Sequence, residues 1–578
     1  MHDTVIRGAT VVDGSGRDRF TADIAIDDGL VCEVGRVGGR GREEIAADGL
    51  LATPGWVDIH THYDGQVSWD PLLTPSFWHG VTTVVMGNCG VGFAPVAPER
   101  RDWLIGLMEG VEDIPGTALS EGIDWEWESF PQYLDAIDAK PHAIDFGAQI
   151  AHGAVRAYVM GERGARNEAA NPEDIQAMAA LVQESLEAGA LGFSTSRTLV
   201  HIAVDGEPVP GTFAAEDELR AFAEVIGRLG HGILEVAPAG VAGEDASAPA
   251  KEMAWMRKLS SQTGCPITFL LGQTNDDPEA WRNMLALVDE ASRDGARVYP
   301  QVFGRPTNIL FTFAGLCPFS RYPSFLPLME MDADQRLVHL RDPQFKARIL
   351  AEEDPNQDVF SMILADPWDK VFVLGDPVDY EPDPQNSVAT LARARGLTPK
   401  ELAYDSMLDE DGNGMLYWAL LGYCDGNLDP QREMLVHPSS VLGAGDGGAH
   451  CRAICDAGVP TFMLSHWARD RHRGRKLPLE WLGKKQTSDT ARPFGMHDRG
   501  LIAAGMKADI NLIDFDRLRP GRPELVNDLP ANAARLMQKA QGYVRTIVSG
   551  QTVAEQGEET GRRPGRLVRG GGGRPGAH

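Results

Sequence analysis

Eight short apolar runs, each followed by glycine or polar residues, constrain this chain more than any other feature. They cover 55–60, 82–87, 143–150, 190–194, 232–236, 266–271, 296–301 and 440–445. Strands that alternate with helices pair in parallel through crossovers, not as hairpins. Eight such units predict an α/β fold, a (β/α)8 TIM-like barrel, with its chemistry at the C-terminal ends of the strands. The helix before the fourth run is explicit: Asn171 caps it, Pro172 opens it, and Glu173 and Asp174 fill its first turn. Met178, Leu181, Val182 and Leu186 give it an apolar stripe, and Gly189 ends it.

The seventh and eighth runs lie about 140 residues apart, far more than a barrel crossover needs. A large insertion after strand seven is therefore expected at about 303–437, with helical segments at 342–350 and 387–396. Its acidic run Asp409-Glu410-Asp411-Gly412-Asn413-Gly414 lacks the ligand spacing of a calcium loop and reads as a solvated turn. Both chain ends alternate like strands, at 4–12 and 24–34 and again at 509–515 and 544–548. They predict one small β-sandwich built from the two ends, over 1–53 and 496–556, flanking a barrel domain at 54–495. From 557 to 578 the chain is rich in glycine, arginine and proline and is expected to be a flexible tail.

With 83 acidic and 54 basic residues the net charge is −29, which argues against nonspecific binding of nucleic acid or anionic membranes. No apolar run of ~18 residues is present, so no membrane span is expected. The start of the chain shows no basic region followed by an apolar stretch, and seven dispersed cysteines suit a reducing compartment, so a cytoplasmic location is expected. The oligomeric state stays open, with a homo-oligomer among the alternatives.

His60 and His62 end the first strand at positions i and i+2, where side chains share a face and two imidazoles can converge on one metal ion. The other chemistry-bearing residues at strand ends are Cys89, His152, Glu235 and Asp446, after strands two, three, five and eight. A thiolate beside two imidazoles favours Zn2+ among divalent metals. A carboxylate at Asp446 can ligate the metal and can also move a proton between water and a leaving amine. Glu235 is a candidate ligand or base, with a structural carboxylate as its alternative. Cys451 and Cys455 share helical spacing, for which packing is the expected role. For a substrate carboxylate, Arg197 and Arg305 are the candidate binders. His201, in a stretch that extends to a lid at 205–211, and His152 and His450 are further substrate-binding candidates.

These motifs resemble the metal-dependent amidohydrolase superfamily, and within it the N-acyl-D-amino-acid deacylases (D-aminoacylases). The likeness rests on Pro54-Gly55-Trp56-Val57-Asp58-Ile59-His60-Thr61-His62, on Val81-Thr82-Thr83-Val84-Val85-Met86-Gly87-Asn88-Cys89-Gly90 and on Gly189-Ala190-Leu191-Gly192-Phe193-Ser194-Thr195-Ser196. The closing stretch Gly505-Met506-Lys507-Ala508-Asp509-Ile510-Asn511-Leu512 extends it over nearly the whole chain. The resemblance implies a barrel with an accessory β-sandwich, metal-site roles for His60, His62, Cys89 and Asp446, and an acid/base role for Asp446. Two departures stand out. The family's histidines after strands five and six are missing, with Glu235 and Gln273 near those places. No lysine ends strand four, where Ser194, Thr195 and Ser196 stand. One metal held mainly by the first-strand pair is expected. The expected activity is hydrolysis of a small linear amide such as an N-acyl (D-)amino acid. The alternatives are a cyclic-amide or carbamate hydrolase and a non-catalytic ligand-binding barrel.

Overall fold

The computed structural model describes residues 1–356, 366–443 and 445–571. Its centre is a parallel sheet of eight strands: β1 (Trp56–Asp58), β2 (Val81–Met86), β3 (Asp145–Ala151), β4 (Gly192–Ser196), β5 (Ile233–Ala237), β6 (Ile267–Leu271), β7 (Val298–Val302) and β8 (Val441–Leu442). Their spatial order follows the sequence from β1 to β8. The sheet closes just past the strand ends, where Thr61 bridges Gly447 in parallel and the His62 N–H donates to the Gly447 carbonyl at 2.8 Å. Every residue of β2, β3, β4, β5 and β6 is buried, because helices cover the outside of the sheet and side chains fill the inside.

The helix Pro172–Ala188 starts and stops where the sequence indicates. The Asn171 side chain accepts from the Asp174 N–H, the Asp174 carboxylate accepts from the Asn171 N–H, and Gly189 turns left-handed at φ 115°. The insertion after β7 builds its own small lobe. Strand Leu416–Leu421 lies between Thr307–Phe311 and Val371–Val373, all antiparallel. Helices Pro343–Leu350 and Val388–Arg395 match the two expected segments. Phe311, Phe313, Phe319, Phe325, Tyr404 and Trp418 form a core separate from that of the barrel. The acidic stretch is a turn, with Glu410 and Asp411 left-handed at φ 55° and 58°.

The chain ends meet in one nine-stranded mixed sheet. Leu51–Pro54 pairs with Ile510–Ile513 antiparallel, and His2–Val11 pairs with Gly41–Ala46 and then with Leu51–Pro54. The described part of the expected flexible tail does not hang free. At the start of β3, the Phe146 N–H donates to the Arg566 carbonyl at 3.2 Å and its carbonyl accepts from the Val568 N–H at 2.7 Å. Strand β4 joins β3 only from Gln149 onward, so the tail occupies the edge that β4 leaves open. Buried backbone groups need partners, and the tail supplies them. Arg569 adds contacts to Asp135, Asp138 and the Ala188 carbonyl. Residues 572–578 lie outside the described residues. Among the described residues no helix is long and apolar enough to cross a membrane.

Candidate metal centre and active site

The regular part of β1 ends at Asp58, so His60 and His62 stand beyond the strand, not within it. Their shared face survives because Thr61 continues the extended pairing, bridging Gly447 and donating its hydroxyl to the Val85 carbonyl at 2.9 Å. Both rings are buried, with centroids 5.3 Å apart. Each turns Nε2 toward Asp446: 3.5 Å from His60 and 3.7 Å from His62, both to Oδ1. Each turns Nδ1 outward. His60 Nδ1 meets Gln301 Oε1 of β7 at 3.0 Å, and His62 Nδ1 faces Glu112 Oε1 at 3.3 Å.

Cys89 follows β2 in a left-handed turn at φ 55°. The Asn88 amide ties that turn to its neighbours, donating to the carbonyls of Thr61 and Val85 and accepting from Gln149 of β3 at 2.8 Å. Gly90 is required next to it, since a Cβ there would lie 2.8 Å from the Ser196 nitrogen. The turn brings Cys89 Sγ to 3.4 Å from His60 Nε2. His60, His62 and Cys89 thus offer ligand atoms within 4.8 Å of one another. The Cys89 N–H donates to Glu235 Oε2 at 2.9 Å, while Glu235 Oε1 has no hydrogen-bond partner and lies 3.9 Å from His60 Nδ1.

Burial pushes the Glu235 carboxyl up to about 8 and the Cys89 thiol well above its usual range. Burial holds the His60 imidazole down at about 4. It would do the same to His62, but the Glu112 and Asp446 carboxylates raise that ring to about 9. Burial alone would raise Asp446; the hydrogen bond from His62 and the charges of His60, His62 and His450 hold it well below the usual carboxylate range. Two imidazoles, a thiol and three carboxyls are therefore crowded together, and among the described residues no lysine or arginine pairs with the carboxyls. This donor set, short of positive charge and holding an unpaired Glu235 oxygen, fits a divalent cation.

The other candidates divide. His201 belongs to the same chamber. Its Nδ1 bonds Ser196 Oγ at 2.9 Å, and His450, His62, Asp446 and His60 lie around it. His450 sits at the rim, partly exposed, with Nε2 3.7 Å from Glu112 Oε2. His152 was expected at the mouth, but both its ring nitrogens are engaged in the wall, by Thr195 and Glu218 at 2.8 Å each. Arg197 and Arg305 were expected to be free for a substrate carboxylate. Arg197 Nε lies 3.0 Å from both carboxylate oxygens of Glu252, and Arg305, fully buried over the Tyr380 ring, holds Asp456 at 3.2 Å and the Cys455 carbonyl. Each guanidinium is thus paired with a carboxylate of the barrel wall, while Arg305 Nη1 is buried without a partner. The three hydroxyls that end β4 are likewise used: Ser194 accepts from the Gly90 N–H, Thr195 holds His152, and Ser196 holds His201.

Glu112 and Gln301 escaped the sequence reading. Glu112 did leave a signal. Leu104, Met108 and Glu112 recur every four residues on the buried face of the helix Arg101–Glu112, and the third member of that stripe is a carboxylate. Gln301 left none, because only the barrel's closure turns it toward His60.

Over its length the chain is similar to known proteins. It is 28% identical over 593 residues to an uncharacterized protein of Mycobacterium tuberculosis, covering 97% of this chain and 93% of that one. It is 26% identical over 581 residues to the D-aminoacylase of Alcaligenes xylosoxydans xylosoxydans, covering 98% and 97%. A crystal structure of D-aminoacylase superposes with TM-score 0.65 at 21% identity, covering 98% of this chain and 100% of that chain. The N-acyl-D-glutamate deacylase of Bordetella bronchiseptica, solved with zinc and a phosphonate inhibitor, superposes with TM-score 0.64 at 22% identity, covering 98% and 99%. These superpositions agree with the barrel and accessory sheet described above. The profile of the Amidohydrolase family matches residues 43–554. By that match, with a buried His–His–Cys cluster at its strand ends, the chain belongs to the amidohydrolase family and is an enzyme of metal-dependent amide C–N hydrolysis.

Proposed function

We propose that the protein hydrolyses a small linear amide, an N-acyl (D-)amino acid or a close analogue, with one zinc ion held by His60, His62, Cys89 and Asp446. The observation that carries the reading is the convergence of both imidazole Nε2 atoms on Asp446 Oδ1, with Cys89 Sγ 3.4 Å from one of them. The D-aminoacylase relative, similar over 98% of this chain, supports the substrate class. Bound there, zinc would polarise the amide carbonyl and acidify the attacking water. Asp446 faces both imidazoles from the end of β8, where its carboxylate can take the water's proton. It is also the most exposed of the converging groups, at 15%, which places its oxygens where the leaving nitrogen can receive that proton. His201 and His450, at the rim, would orient the substrate carbonyl. Glu235 stands 3.9 Å from His60 Nδ1, close enough to offset the charge of a bound cation.

The test is metal content together with hydrolysis of a panel of N-acyl-D- and N-acyl-L-amino acids, hydantoins and lactams. Asp446→Ala should lose roughly 10²- to 10⁴-fold in turnover of an open amide. His60→Ala should lose the bound metal. Undiminished turnover in the first variant, or full metal content in the second, would sink the assignment. Faster turnover of hydantoins than of open amides would move the substrate class to cyclic amides.

A further inference from the structure

Glu112 is in an unfavourable place for a carboxylate. It is the last residue of the helix Arg101–Glu112, where the helix dipole repels negative charge. Its side chain is only 2% exposed, and no lysine or arginine appears among the charges acting on it. Two imidazoles face it as charge partners, His62 Nδ1 at 3.3 Å from Oε1 and His450 Nε2 at 3.7 Å from Oε2, and neither His62 Nδ1 nor Oε1 has another partner. The backbone repeats the link, since the His450 N–H donates to the Glu112 carbonyl. A residue that opposes its local preference and is buried without a cation is kept by what it touches.

The two metal-site histidines are supported differently. The outward nitrogen of His60 meets a neutral amide at 3.0 Å, with the Glu235 carboxyl farther off at 3.9 Å, and that of His62 meets a carboxylate at 3.3 Å. With a metal on Nε2, the proton of a neutral His62 ring is left to Nδ1, the nitrogen that Glu112 Oε1 faces. Nε2 faces Asp446 Oδ1 at 3.7 Å and lies within 4.8 Å of the Cys89 sulfur.

We infer that Glu112 is a positioning residue. It orients His62 through Nδ1 so that Nε2 is presented for metal, and it ties that ring to His450 at the rim. The inference rests on the metal assignment to His60 and His62 made above. The helix itself is held in place by close packing: Gly106 and Gly110 face the 202–204 backbone and the Val204 side chain. Glu112 therefore reaches His62 from a fixed base.

The experiment is zinc titration of the metal-free protein against a competing chelator, for wild type, His60→Ala, Glu112→Gln and Glu109→Gln. Glu112→Gln keeps the shape and removes the charge, and should weaken zinc binding by roughly 10- to 100-fold. The unfolding temperature of its metal-free form should be unchanged, which a merely structural role would not allow. Glu109→Gln, one turn earlier on the same helix, should bind as wild type. Wild-type affinity in Glu112→Gln, with His60→Ala still losing the metal, overturns the role of Glu112 and leaves the metal centre standing. A wild-type protein that takes up no zinc overturns both. If Glu112→Gln does not fold, Glu112→Asp decides the matter. It keeps the charge but withdraws the oxygens by one methylene, so several-fold weaker binding supports the role and unchanged binding overturns it.

Discussion

Cys89 shows how one residue's chemistry depends on its surroundings. Burial and three nearby carboxyls push the Cys89 thiol toward its protonated form, while burial favours the neutral ring of His60 beside it. A divalent ion would reverse the thiol's preference, because a coordinating sulfur loses its proton outright. Cys89→Ser should therefore fold normally and bind zinc at least about tenfold more weakly, with a shift toward harder ions such as magnesium or manganese. Competitive metal titration checks this; a serine variant with unchanged zinc preference would remove Cys89 from the ligand set. At this scale the sequence was informative wherever ligand spacing is local. His60 and His62 lie two residues apart, and Cys89 sits inside Gly87-Asn88-Cys89-Gly90. It was uninformative for Gln301, whose contact with His60 spans 241 residues.

Among elements, the most consequential contact is between the helix Arg101–Glu112 and the 197–211 stretch after β4. A Cβ at Gly110 would lie 2.5 Å from the Ala203 carbonyl carbon and 2.6 Å from the Ile202 carbonyl oxygen, both backbone atoms that cannot rotate away. Gly110→Ala should push this stretch outward and carry His201 from its place beside Ser196. The expected result is a KM raised by roughly tenfold with the metal content unchanged, since small misplacements of positioning groups are costly. Steady-state kinetics and metal analysis on the same preparation separate the two effects. The elements themselves were legible because apolar periodicity and caps are local: the Asn171 capping box, the insertion helices and the eight strands fall close to their expected places. What the arginines bind was not legible. Arg197 and Arg305 stand after strands, as substrate binders would, but Glu252 and Asp456 lie 55 and 151 residues away.

Across the whole molecule, the insertion is anchored to the barrel domain by Glu381. Arg471 grips it with two hydrogen bonds of 3.0 Å and His466 adds a third at 2.8 Å, while the Leu428 N–H, within the insertion itself, holds the carboxylate in place at 2.9 Å. Burial alone would raise this carboxyl; the His466, Arg471 and Leu428 bonds overcome it and hold it at about 2, against 4.5 ordinarily. A depressed carboxylate stabilises the fold fully above its unfolded value and loses that contribution as pH falls through the folded value. The stability from this anchor, roughly 3 kcal/mol, should be intact at neutral pH and disappear between about 4.5 and 2. Glu381→Gln should lower the unfolding temperature at pH 7 and flatten its decline in acid. Calorimetry across that range tests it, and a variant curve parallel to that of wild type would refute the anchor.

The sequence by itself determined the repeating strand–helix plan, the long interruption after β7, the union of the two chain ends and the gathering of His60, His62 and Cys89 near strand ends. All of these are written in periods and spacings of a few residues, which local backbone geometry enforces. Only the tertiary structure decided that Glu112 backs His62, that Gln301 backs His60, that His152 and two arginines serve the wall, and that residues 565–569 complete the edge of β3. Each depends on which distant group comes within hydrogen-bonding reach when the barrel closes, and buried charge and backbone must then be satisfied by whatever the closure brings near.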